Sequence, residues 1–69
     1  MDYIQNMVDI RKESGETQKE LAQRIGWSRI QIARYETKVN TPTIDYLEAF
    51  CIAYKVSADR ILGLPKDYK

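Results

Sequence analysis

Apolar residues recur at intervals of three and four along most of this chain. Ile4, Met7, Val8 and Ile10, with Arg11 beside them, form one such stripe, and the spacing predicts a helix over residues 3–14. Gly15, preceded by Ser14, is a stop signal of the usual kind. Thr17 and Glu20 make a T-x-x-E capping box that opens a second helix, Gln18 to Ile25, whose inner face is Leu21, Ala22 and Ile25. Gly26 allows a sharp left-handed turn, and Trp27 packs back on the core from so short a corner. Ser28 and Gln31 make a second capping box, S-x-x-Q, ahead of a third helix from Arg29 to Thr37. Ile32 and Tyr35 point inward on it, with Glu36 beside them, while Arg29, Ile30, Ala33 and Arg34 lie on other faces. Pro42 marks the following stretch, 38–41, as a loop. Thr43 caps a fourth helix, Ile44 to Tyr54, with Ile44, Leu47, Phe50, Cys51 and Tyr54 as its core face. A second, weaker stripe on it is Tyr46, Ala49 and Ala53, with Ile52 nearby. Ser57 caps a short fifth helix, Ala58 to Leu62, Gly63 ends it, and 66–69 reads as a frayed tail.

The expected fold is therefore all-α: five helices in one domain over residues 1–69, organised around the pair at 18–37. That pair has the spacing of a DNA-reading helix-turn-helix. A small residue at the helix contact (Ala22), a glycine four positions on (Gly26) and an aliphatic in the second helix (Ile32) set the corner. Leu21, Ile25, Trp27 and Tyr35 fill the positions around it.

Composition excludes more than it asserts. A chain of 69 residues has a small core. One cysteine allows no internal disulfide, and without histidine there is neither a zinc set nor the commonest general base. No metal, cofactor or small-molecule substrate is expected, and there is no apolar run long enough to enter a membrane. A lone thiol suits a reducing cytosol. The net charge of +1 carries little information by itself, but its distribution does. Residues 17–38 hold Lys19, Arg24, Arg29, Arg34 and Lys38 against only Glu20 and Glu36, whereas the first sixteen residues are net acidic. Such an asymmetry attracts a polyanion locally.

The stretches TQKELAQRIGWSRIQIARYE, TPTIDYLEAF and YKVSADRILGL together resemble the lambda-repressor/Cro-like, or XRE, family of helix-turn-helix proteins over roughly residues 4–64. The resemblance implies a compact five-helix lambda-repressor-like domain that binds operator DNA, usually as a twofold dimer. It implies that Thr17 and Gln18 touch phosphate at a helix N-terminus, where exposed N–H groups and the dipole favour an anion. Ser28, Arg29, Ile30, Gln31 and Arg34 match the positions that face the major groove. Arg29 suits guanine O6 and N7, Gln31 adenine or phosphate, Ile30 a thymine methyl, and Arg34 a base or the backbone. Lys38 and Asn40 match the loop that contacts phosphate, and Arg11 and Glu36 match a structural salt bridge. Three departures stand out. Lys38 replaces a common glycine, so the exit loop is expected to differ. Glu16 replaces an apolar residue, which opens that corner of the core. Trp27 is larger than the usual residue.

These residues predict a sequence-specific transcriptional regulator, a repressor, acting without enzymatic chemistry in the cytoplasm on the nucleoid. It would bind double-stranded DNA as a homodimer on a near-palindromic operator. The apolar stripe Tyr46, Ala49, Ile52 and Ala53 is the candidate dimer interface. A protein-interaction module or antitoxin using the same fold is the competing reading. An enzyme is disfavoured by the missing histidine and the short chain.

Overall fold

The computed structural model describes residues 2–64, and the expected tail at 66–69 lies outside the described residues. Five helices follow one another: α1 Tyr3–Ser14, α2 Gln18–Ile25, α3 Arg29–Glu36, α4 Ile44–Tyr54 and α5 Ala58–Leu62. The third ends one residue earlier than the spacing suggests, with Thr37 as its cap and the Thr37 hydroxyl donating to the Ala33 carbonyl. Every helix begins on a side-chain cap: Asp2, Thr17, Ser28, Thr43 and Ser57 each accept from a backbone N–H in the first turn. Both capping boxes close in both directions.

The corner between α2 and α3 follows from Gly26. Its φ of +80° is a left-handed conformation that a side chain resists. With the chain so turned, the N–H groups of Gly26 and Trp27 both donate to the Ala22 carbonyl, at 2.9 and 3.1 Å. Ala22, Leu21 and Ile32 are buried where α2 meets α3.

Helix α1 packs on α3 and α5, and α4 on α2 and α5. The core is Met7, Leu21, Ala22, Ile32, Tyr35, Tyr46, Phe50 and Ile61. One face of α4 departs from expectation. Tyr46, assigned to the weaker stripe and to the dimer interface, is only 2% exposed. Ile44, assigned to the core, is 79% exposed. The helix IDYLEAFCIAY is apolar on most of its circumference, so periodicity alone does not choose between its stripes. Aromatic packing does. Tyr46 lies against Tyr35 (ring centroids 4.6 Å), Trp27 (5.7 Å, edge-on) and Phe50 (6.0 Å), and Phe50 lies against Tyr54 (4.7 Å). Trp27 does pack back on the core, in a T-shaped contact with the Tyr46 ring.

The corner at Glu16 is closed by charge. The Arg24 guanidinium donates twice to the Glu16 carboxylate, at 2.7 and 3.0 Å, and once to the Ala53 carbonyl at 2.9 Å. It also lies 5.0 Å over the Tyr54 ring. Glu16 thus replaces apolar contact with a clamp tying the α1–α2 loop, α2 and the end of α4. The buried Tyr54 hydroxyl beside it closes no hydrogen bond of good geometry.

Candidate nucleic-acid interface

The interface is built on α3, and α3 is short. Its eight residues would be marginal as a free helix. Tertiary contacts hold it: Ile32 is fully buried, Tyr35 is buried under Tyr46, and the Ser28–Gln31 capping box fixes its first turn. Ala33 is half-buried, Glu36 turns inward, and the other four residues face out. Arg29, Ile30, Gln31 and Arg34 are all exposed, Ile30 at 57%. A large apolar side chain so exposed, flanked by two arginines and a glutamine, can meet a methyl group on a surface whose edges are polar.

The capping box limits what Gln31 can do. Its Oε1 accepts from the Ser28 N–H at 3.2 Å, while the Ser28 hydroxyl accepts from the Gln31 N–H at 3.1 Å. The amide NH₂ remains to donate outward. Reading adenine needs both ends of the amide and would break the box. Donation to phosphate would not.

At the start of α2, the Thr17 hydroxyl accepts from the Glu20 N–H and Glu20 accepts from the Thr17 N–H. Gln18 is the first helical residue, so its N–H has no intrahelical acceptor. Its side chain is turned inward: Nε2 donates to Glu36 Oε1 at 2.9 Å. The part of Gln18 suited to an anion is therefore its backbone, not its amide.

Glu36 gathers the network behind this surface. Arg11 Nε donates to Oε2 at 2.7 Å and Nη2 to Oε1 at 3.0 Å, while Nη1 donates to the Glu16 carbonyl at 2.7 Å. The Arg11 and Glu36 side chains are 9% and 13% exposed. The Glu36 carboxylate raises the Arg11 pKa further above its ordinary value against the opposing effect of burial. One carboxylate thereby joins α1, the start of α2 and the end of α3.

Lys38 and Asn40 lie in the exit loop, both exposed. The loop reverses through Lys38 at φ +65°, and the N–H groups of Val39 and Asn40 both return to the Arg34 carbonyl. Lysine here adopts the left-handed conformation that glycine enters freely. The Lys38 ammonium donates to Asp2 Oδ2. Of the five basic side chains counted over 17–38, Arg24 and Lys38 thus already hold carboxylates within the protein. Arg29 and Arg34 dominate the field over the outer face of α3. Sequence reasoning missed both internal pairings, because Asp2 and Lys38 are 36 positions apart and Arg24 reads as a solvated helix residue.

These features together define a five-helix protein of the helix-turn-helix class. The pattern of the helix-turn-helix family matches residues 8–61, and the chain belongs to that family, in its lambda-repressor/Cro-like form. It is similar to an uncharacterized HTH-type transcriptional regulator, YobD, of Bacillus subtilis (strain 168), with 35% identity over 65 residues. The match covers 94% of this chain and 58% of that relative, so the chain spans a little over half of the relative's length. No solved structure gives a significant match. Among the described residues no helix is long and apolar enough to cross a membrane.

Proposed function

We propose that this protein is a sequence-specific DNA-binding transcriptional regulator, a repressor, that binds a near-palindromic operator as a homodimer. The observation that carries the reading is the outer face of α3. Arg29, Ile30, Gln31 and Arg34 are exposed together on a short helix whose inner face is locked into the core. In this reading Arg29 reads guanine and Ile30 touches a thymine methyl. Arg34 reaches a neighbouring base or the backbone. Gln31 donates to phosphate from the end of its amide that the capping box leaves over. Ser28, Thr17, the backbone of Gln18, Lys38 and Asn40 grip the backbone on either side.

The dimer surface is reassigned. Tyr46 belongs to the core, which leaves Ile52 (72% exposed) with the half-buried Ala49 and Ala53, bordering an open hollow of about 500 Å³ with Ile25. A second area, smaller as a hollow but bordered by two large exposed apolar side chains, lies at the start of α4. There Ile44, Leu62, Pro42 and Leu47 border one hollow of about 170 Å³ with Tyr3, Met7 and Thr43. An exposed isoleucine and leucine on one hollow make the better surface for a second copy.

Selection of bound sequences from random duplex DNA tests the reading. The expected result is one enriched motif with twofold symmetry and binding that weakens steeply with salt. Failure to enrich any motif would move the protein to the competing class, a module that uses this fold to bind another protein.

A further inference from the structure

The Asp2 carboxylate performs two tasks with its two oxygens. Oδ1 accepts from the Gln5 N–H at 3.1 Å and caps α1. Oδ2 accepts from the Lys38 ammonium, in the loop that leaves α3. The Lys38 contact is the largest cause holding the Asp2 carboxyl below its usual range, with the Gln5 N–H second. Both side chains are substantially exposed, so solvent and other anions can compete for the ammonium. Lys38 has its left-handed backbone fixed by the returning hydrogen bonds to Arg34, which points its side chain from a defined place.

We propose that Asp2 is an internal stand-in for a DNA phosphate at Lys38, and that it tunes how tightly the protein holds any duplex. The inference rests on the DNA-binding reading given above. A carboxylate and a phosphate oxygen offer the same acceptor chemistry to an ammonium. When the exit loop meets the backbone, Lys38 exchanges one anion for the other, because keeping both would set two negative groups side by side. Binding therefore gains only the difference between the two contacts. The effect is independent of base sequence, since a phosphate contact carries no sequence information. Asp2 is thus a tuning residue that never touches the nucleic acid.

The test is a double-mutant cycle in the full chain, with a mixed-sequence duplex as the probe at low and moderate salt. Asp2→Asn removes the charge and keeps the helix cap, because asparagine caps as well as aspartate. Asp2→Asn is expected to bind the duplex about two- to five-fold more tightly than the natural protein, the range of an exposed ion pair. In a Lys38→Gln background the same change is expected to shift affinity by less than about 1.5-fold, the residue of long-range charge at moderate salt. Thermal unfolding of each variant shows that all are folded. Equal tightening in both backgrounds would reduce Asp2 to a contributor to net charge and overturn the proposal, as would no tightening in either. If the natural protein binds the duplex and the cycle is flat, only the role of Asp2 fails. If the natural protein binds no duplex at any salt, the DNA-binding reading fails and takes this inference with it.

Discussion

Glu36 is where the helices of the reading unit converge, and it sets the sharpest expectations at the scale of single residues. Its carboxylate accepts two hydrogen bonds from Arg11 and one from Gln18 in a largely enclosed site. Arg11→Met strands that carboxylate, and the expected loss is about 3–5 kcal/mol, a large share of what a small domain has. Urea unfolding measures it. Adding Glu36→Leu should restore much of the loss, because a buried pair replaced by apolar groups costs far less than a pair broken. A loss under about 1 kcal/mol for Arg11→Met alone would class the contact with ordinary surface pairs. The outer residues of α3 behave differently. Arg29→Ala should leave stability unchanged and lose discrimination at one base pair by about 1–3 kcal/mol. Competition binding against single-position operator variants reads it. These residues differ in how they could be read from sequence. Outward residues of α3 follow from spacing once the inner pair Ile32 and Tyr35 is placed, and the Arg11–Glu36 contact came through the family resemblance. The Glu16–Arg24 and Lys38–Asp2 pairs had no local signal, because each partner sits in a different element and either side chain alone reads as solvated.

At the scale of elements, boundaries were the most legible feature, because capping is local chemistry. Thr17 with Glu20 and Ser28 with Gln31 are three residues apart, and no tertiary contact is needed to see that they close on each other. The face of α4 was not legible for the opposite reason. Its orientation is set by Tyr35 and Trp27 from other elements, which draw Tyr46 inward and leave Ile44 at the first turn in solvent. The end of α4 falls at Tyr54 as its spacing suggests, but its cap gave no glycine signal. Lys55 caps it at φ +54°, a left-handed conformation without glycine's freedom. Lys55→Gly is expected to stabilise the protein by about 0.5–1 kcal/mol, the cost of holding a side chain in that region. Ser28→Ala is expected to cost about 1 kcal/mol and to loosen the first turn of α3, where Arg29 and Ile30 stand. Denaturant midpoints for both variants, taken with DNA affinity for Ser28→Ala, separate the two effects. Lys55→Gly should leave binding alone.

The whole molecule is held by an aromatic run from Trp27 and Tyr35 through Tyr46 and Phe50 to Tyr54, ended by the Arg24 clamp on Glu16. The clamp gives stability a pH dependence of definite sign. Hydrogen bonding from Arg24 holds the Glu16 carboxyl below its ordinary range, against the opposing effect of desolvation. A depressed folded pKa means that the contribution is fully present above the ordinary glutamate value, about 4.3, and is lost as pH falls through the lower folded value. Glu16→Gln should flatten the acid limb of the stability curve below that pH and leave its shape near neutrality unchanged. Assembly makes the last demand on the molecule. Two copies on a near-palindromic operator must set their α3 helices about 34 Å apart, so the proposed contact between copies decides whether one or two half-sites are read. Ile44→Glu tests it cleanly. The side chain is 79% exposed in the single chain, and an acidic residue at the first helical position suits the helix dipole, so the monomer should fold as before. Two such carboxylates facing each other across the hollow by Pro42, Leu47 and Leu62 should instead repel. The expected result is a monomeric mass in solution and a selected motif reduced to one half-site. Ile52→Glu, on the other stripe of α4, should leave the dimer intact. The reverse pattern would return the interface to Ala49, Ile52 and Ala53, and a natural protein that is monomeric both free and on DNA would remove the palindrome from the proposal.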